Sequence, residues 1–268
     1  MSTKPTATAT TPVLEAPLPQ EILNHLYAAM LRARHLGQRF RSSVAEAILA
    51  GTLANTGDND TIVSPVASPV LQVLRGAEAA TLLAATTEQA HESRIVVTEN
   101  DSFCSFAGGI AFAHRQARSG SVVLAFAPGK LTRSRSFEHA MQFAGANRLP
   151  LIVITDWTGV RTSSRKHDGA ALSHWPSPTI AVDGRDVIAV YRVTKEATSA
   201  ARRGHGPTLI DCVNFLAPGP RGRDTRDPLK TFRAYLERHN AWSDSWHSEL
   251  LSKVQVEIGA LRTSQRKH

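Results

Sequence analysis

Cysteine is nearly absent: the 268 residues hold two, Cys104 and Cys212. Two thiols so far apart make neither a disulfide framework nor a zinc-type ligand spacing, which suits a reducing cytoplasm. Long apolar runs are missing too, since no stretch approaches the roughly 20 residues that span a bilayer. Residues 1–18 are rich in Thr, Ala and Pro and carry only Lys4 as a base. They lack the apolar centre of a secretory signal and the arginines of a transit peptide, so a flexible N-terminal arm is expected. The expected molecule is cytoplasmic, with no membrane contact.

Acidic side chains are in deficit, 23 against 31 basic ones, for a net charge of +8. Such a balance favours acidic partners. The basic residues are scattered, however, and densest at Arg202-Arg203, at Arg221 to Arg226 and at Arg262 to His268. No aromatics interleave these groups and no nucleic-acid module is recognisable, so a solvated basic surface is the plainer reading and nucleic acid is not an expected partner. Histidine pairs at metal-binding spacing are also lacking among His114, His167 and His174. Ser163, Ser164 and the cysteines show no triad order, and His139 beside Glu138 reads as a packed or exposed pair. Trp175, Trp242 and Trp246 read as packing groups.

What remains is a periodic pattern of apolar residues. Pro19 to Phe40 has helical spacing through Leu23, Leu26, Met30, Ala33 and Leu36, and a second helical stretch runs to about Ala50, where Gly51 is expected to end it. Thr52 to Ser68 clusters Asn, Gly, Asp and Pro and is expected to be loop, and Pro69 then opens a helix to about Thr86. Short apolar strands follow at Arg94–Thr98, Ser121–Phe126, Leu151–Thr155, Thr179–Val182 and Pro207–Val213. Helical stretches at Phe106–Arg118, Phe137–Ala146 and Val187–Arg203 alternate with them, and two more close the chain at Leu229–Arg238 and Ser245–Leu261. Continuous apolar strands separated by amphipathic helices predict an α/β fold, a mainly parallel sheet with helices on both faces, whose ligands bind beyond the strand ends. One domain over residues 19–262, with a basic tail at 263–268, is the simplest organisation.

Three stretches are similar to a known family. The first pairs Leu26-Tyr-Ala-Ala-Met-Leu-Arg-Ala-Arg-His-Leu36 with Gly76-Ala-Glu-Ala79. The second is a strand, Ala127-Pro128-Gly129, a helix containing Phe137-Glu-His-Ala140, then Arg148-Leu-Pro150, a strand and Asp156-Trp157. The third runs Thr179-Ile-Ala-Val-Asp-Gly-Arg-Asp-Val-Ile-Ala-Val-Tyr191, Thr194-Lys-Glu-Ala197 and Gly206-Pro-Thr-Leu-Ile-Asp211. Together they resemble the α subunit of thiamine-diphosphate-dependent 2-oxo acid dehydrogenases (the pyruvate, branched-chain and acetoin types). The chain is shortened after Phe103-Cys104, where the family carries a glycine-rich stretch that approaches its cofactor.

The resemblance implies the thiamine-diphosphate-binding fold, thiamine diphosphate held through magnesium, and oxidative decarboxylation with acyl transfer to lipoamide. It also implies association with a β-subunit-like chain or with itself, and with a lipoyl-bearing acyltransferase core. The family grips its ion with the Asp of Gly-Asp-Gly, the second Asn of Asn-Asn and a backbone carbonyl two residues later. Carried over, these positions are Pro128, Trp157 and Gly159, with Gly129, Lys130 and Asp156 beside them. Proline offers no side-chain oxygen and indole nitrogen only donates, so neither replaces a ligand of a cation that requires oxygen. Asp156 is one residue removed from the ligand position and is expected to point the other way. The loop after the last strand, Ala217 to Pro228, lacks the family's histidine, keeps Asp227-Pro228 and carries Arg221, Arg223 and Arg226. No catalytic residue and no metal ligand is assigned on these grounds. Three readings stay open: a dehydrogenase subunit with impaired or lost cofactor binding, a non-catalytic scaffold or regulatory paralogue of such a complex, and a basic anion- or nucleic-acid-binding protein on the same fold.

Overall fold

A computed structural model describes residues 17–42, 44–65, 68–76, 94–98, 103–129, 132, 134–156, 177–213 and 226–264. In chain order these form α1 (Gln20–Phe40), α2 (Glu46–Leu53), β1 (Thr61–Ser64), α3 (Pro69–Leu74), β2 (Ile95–Val97), α4 (Phe103–Gln116) and β3 (Val123–Pro128). They continue through α5 (Arg135–Ala146), β4 (Leu151–Asp156), β5 (Thr179–Asp183), α6 (Val187–Arg202), β6 (Thr208–Val213), α7 (Pro228–Arg238) and α8 (Asp244–Ser264). The six strands make one sheet in the order β2-β1-β3-β4-β6-β5, and every neighbouring pair is parallel. The α/β class expected from the apolar pattern is the observed one.

Strand alternation builds two cores. Val123, Ala125 and Ala127 of β3, with Leu151 and Val153 of β4, pack under Phe103, Ala107 and Ala111 of α4 and Phe137, Met141 and Ala144 of α5. Leu124, Ile152, Ile154 and Ile210 face the other way, onto Ile48 of α2 and Val190, Ala197 and Ala201 of α6. Beyond α2 and α6 lies a third cluster, in which Tyr27 of α1 meets Phe232 of α7 and Trp242 and Trp246 near the start of α8. The Tyr27 and Trp242 rings meet edge-on, with centroids 5.1 Å apart, so these two tryptophans are packing groups as expected. Leu18, assigned by sequence to the arm, packs on the same cluster; residues 1–16 lie outside the described residues.

Two expectations need correction. Thr52 to Ser68 is not all loop, because Thr61–Ser64 is a buried strand, β1, inserted between β2 and β3. Four residues flanked by turn formers give too little periodicity to betray a strand that is buried on both faces. Gly51 does not stop the second helix, which continues to Leu53. A Cβ at Gly51 would stand 2.8 Å from Val190 Cγ1 and 2.9 Å from the Tyr191 backbone nitrogen. The glycine is there to let α2 and α6 touch backbone to backbone. The helix opened by Pro69 runs only to Leu74, with Gly76 following at φ +108°, and residues 77–86 of the expected helix lie outside the described residues. Most other bounds moved by a few residues: β3 runs through Pro128, making the expected turn residue the last position of a strand.

A polar brace ties the outer helices together. Arg34 of α1 forms paired hydrogen bonds with Asp227, at 3.0 and 2.7 Å, and a further one with Glu46 at the start of α2. Asp227 is also the N-cap of α7, where its Oδ1 accepts from the backbone N–H groups of Leu229 (3.0 Å) and Lys230 (3.1 Å). Pro228 supplies the first helical residue, where a missing N–H costs nothing. Burial pushes the Asp227 carboxyl up, but the Arg34 hydrogen bond and the helix N–H groups outweigh it and hold the group below the usual carboxylate range.

Two expected outcomes follow from this packing. Gly51→Ala destabilises the fold by about 1–3 kcal/mol, because the added methyl forces α2 from α6; thermal or urea unfolding measures it. Asp227→Ala costs about 1–2 kcal/mol, chiefly the lost cap, while Asp227→Asn keeps a cap acceptor and costs less. Since its folded pKa is depressed, the Asp227 contribution is present above the ordinary aspartate pKa and fades as pH falls through the folded value. Unfolding curves of wild type and Asp227→Ala should therefore converge on acidification.

Candidate functional site

Strand order singles out one place on the sheet. The chain leaves β1 for β2 on one side, and leaves β3 for β4 on the other. The helix after β1, α3, packs on the α2 face, where Leu71 meets Ile62, whereas α5 after β3 packs on the opposite face. Adjacent strands whose connections depart in opposite directions leave a crevice at their carboxyl ends, the usual binding position in open α/β sheets.

Such a crevice is present. A cavity of about 250 Å³ opens between the ends of β1, β3 and β4 and the first turns of α2 and α3. Its walls are mostly apolar, with Val44, Ala45, Ile48 and Leu49 on one side and Phe126, Ala127, Pro128 and Ile154 on the other. Polar groups come from Ser64, Ser68 and Asp156. The Ser68 hydroxyl also caps α3 by accepting from the Leu71 N–H.

Among the residues singled out by sequence, Pro128, Gly129 and Asp156 are described. Pro128 ends β3 and stands directly opposite Asp156, the last residue of β4. Both share the face of Phe126 and Ile154 and line the crevice. Asp156 therefore does not turn away from the Pro128 position. Alternation separates Asp156 from its chain neighbours, but the parallel register puts residues 128 and 156 side by side. Gly129 follows, buried, and its carbonyl accepts a hydrogen bond from the Thr132 hydroxyl at 2.8 Å. Lys130, Trp157 and Gly159 lie outside the described residues, as do Trp175, His167, His174, Ser163, Ser164 and loop residues 214–225.

The described donors can be weighed against a metal-bound diphosphate. Pro128 brings neither a side-chain oxygen nor a backbone N–H to the strand end, and most of the surrounding wall is aliphatic or aromatic. Asp156 is the single carboxylate among the described lining residues. Magnesium seeks near-octahedral oxygen coordination, and without a bridging cation Asp156 repels a phosphate. This donor set does not fit the group that the resemblance implies.

The other residues of interest have local duties. His114 approaches the Thr61 hydroxyl at 3.0 Å, joining α4 to β1, and burial lowers its pKa. His139 is exposed on α5. Both cysteines are buried, and burial pushes both thiols well above the usual range. Sequence reading missed Thr155 and Asp211, which lie beneath the edge on the α4–α5 face. The Thr155 hydroxyl donates to Asp211 Oδ1 at 2.5 Å, which partners a carboxylate only 2% exposed. A polar residue within each apolar strand, paired across neighbouring strands, was the available signal.

Among the described residues, no helix is long and apolar enough to cross a membrane. Comparison with known proteins adds a lineage to this geometry. Residues 70–219 match the family described as the dehydrogenase E1 component. The chain is 28% identical over 178 residues to the pyruvate dehydrogenase E1 component subunit alpha of Staphylococcus aureus, covering 58% of this chain and 48% of that protein. It is 29% identical over 176 residues to the 3-methyl-2-oxobutanoate dehydrogenase subunit alpha of Mycobacterium tuberculosis, again covering 58% and 48%. The chain spans about half the length of these curated relatives. The match takes in the β3 and β4 ends of the crevice, though not its α2 and β1 walls, and the strand–helix–strand from Thr179 to Val213, and the chain belongs to the dehydrogenase E1 component family.

Proposed function

We propose that this chain is an E1 α-like subunit that has lost ordinary thiamine-diphosphate binding and serves a 2-oxo acid dehydrogenase assembly as a non-catalytic scaffold or regulator. The observation that carries the proposal is the pair at the switch point, where an imino acid ends β3 opposite Asp156 at the end of β4, the one carboxylate among the described lining residues. In the two relatives' names the activity is oxidation of pyruvate and of 3-methyl-2-oxobutanoate. An enzyme of this kind draws its difficult chemistry from the cofactor, which supplies a carbanion-stabilising ylid, and the protein orients it. A crevice walled by Phe126, Ile154 and Ile48 keeps the shape of a ligand site while withholding the oxygen donors that would anchor a diphosphate through magnesium.

The partner half of the proposal has separate support. Phe112 and Phe143 are 37% and 46% exposed on neighbouring helices α4 and α5, and their rings lie 6.0 Å apart. An exposed aromatic pair bridging two helices is a surface that another chain can cover. The partner we assign is a β-subunit-like chain, and through it a lipoyl-bearing acyltransferase core.

Co-expression with a β-subunit-like chain from the same organism tests both halves. The expected outcome is a stable complex that turns over pyruvate and branched-chain 2-oxo acids no faster than the partner alone. Phe112→Ser combined with Phe143→Ser should weaken the complex at least tenfold, as loss of central aromatic anchors does. Failure to associate under any condition contradicts the scaffold role, and decarboxylation at ordinary enzymatic rates contradicts the loss of catalysis.

A further inference from the structure

A second cavity, larger than the first, lies at the far end of the same sheet edge. It measures about 490 Å³ and is bounded by the end of β5, the turn into α6 and one face of α7. That volume is within the roughly 300–1,000 Å³ typical of small-molecule pockets. Four arginines line it, Arg185, Arg192, Arg226 and Arg238, against two carboxylates, Asp183 and Asp186.

The two acids are committed to local contacts. Asp183 Oδ2 accepts from Arg226 Nη1 at 2.8 Å, and its Oδ1 accepts from the Arg185 backbone N–H at 3.1 Å. Asp186 caps α6 through the backbone N–H groups of Ile188 and Ala189, at 2.9 and 3.1 Å. Arg185 Nη1 donates to the Arg226 carbonyl at 2.7 Å, which ties the two arginine-bearing segments together. Guanidinium groups held in place this way meet a planar or tetrahedral anion with less ordering cost. The α7 wall adds a ladder of rings. Phe232 and Tyr235 lie at 28° with centroids 6.1 Å apart, and Tyr235 stacks on His239 at 4.0 Å.

An excess of cation beside an aromatic wall in a nucleotide-sized cavity defines a ligand class. We infer that this cavity binds an organic phosphate with a flat ring system, the phosphate meeting the arginines and the ring lying against the α7 aromatics. The site is separate from the crevice at Pro128 and stands whether or not that crevice holds a cofactor. Arginine–phosphate pairing is charge-assisted and bidentate, and rings add stacking on the aromatic face.

The test is calorimetric titration of adenosine 5′-monophosphate, adenosine and inorganic phosphate into the full chain at low salt with chelator present. We expect saturable binding of the monophosphate, about tenfold tighter than either fragment, as one charge-assisted contact supplies. Arg238→Gln and Arg192→Gln should each weaken it about tenfold without lowering the melting temperature, and Tyr235→Ala should abolish the advantage over inorganic phosphate. Arg238 is exposed near the end of α7, so its variant decides the matter if Arg192→Gln does not fold. Absence of saturable binding overturns the inference, and so does binding that the arginine variants leave unchanged.

Discussion

The parallel register between β3 and β4 fixes Pro128 opposite Asp156, and the functional account depends on that juxtaposition. Chain connections diverge at β1 and β3, so the sheet delivers a crevice there whatever side chains line it. Any ligand entering meets a strand end without an N–H, an aliphatic wall and one carboxylate. An anionic head-group meets repulsion from Asp156 unless a cation intervenes, and among the described lining residues Asp156 is the single carboxylate such a cation would meet. On the proposed reading, the crevice keeps its shape while its donor set is altered.

The fold tolerates this because site and core are separable. Pro128 and Asp156 belong to neither of the clusters that glue helices to the sheet, which are built from the strand residues before them. The two faces hold themselves together through apolar alternation, and the outer layer is tied by the Tyr27 cluster and the Arg34–Asp227–Glu46 brace. Asp227 illustrates the same separation. The Asp-Pro pair resembles part of a functional loop in the family, yet its visible work here is to start α7 and anchor it to α1. A residue retained for capping says little about retained catalysis.

Much of this was legible in the amino-acid order. The alternation of apolar strands with amphipathic helices gave the α/β class, and every strand after β1 was anticipated within a few residues. β1 escaped because Thr61–Ser64 sits among turn formers, and its strand character comes from being flanked by β2 and β3. Gly51 escaped because helix termination and close helix packing leave the same letter in the sequence, and only Val190 and Tyr191 reveal which is at work. The direction of Asp156 needed the register with β3, a long-range property that no local pattern encodes. The arginine-lined cavity escaped because its residues come from segments forty positions apart, and the sequence scatters what the fold collects.

The most direct measurement is titration of thiamine diphosphate with magnesium into the chain, alone and assembled with a β-subunit-like partner. The account predicts no saturable, magnesium-dependent heat in either state, and a gain of such binding when Pro128→Asp and Trp157→Asn are introduced together. Tight binding by the unaltered chain that vanishes on adding chelator would contradict it.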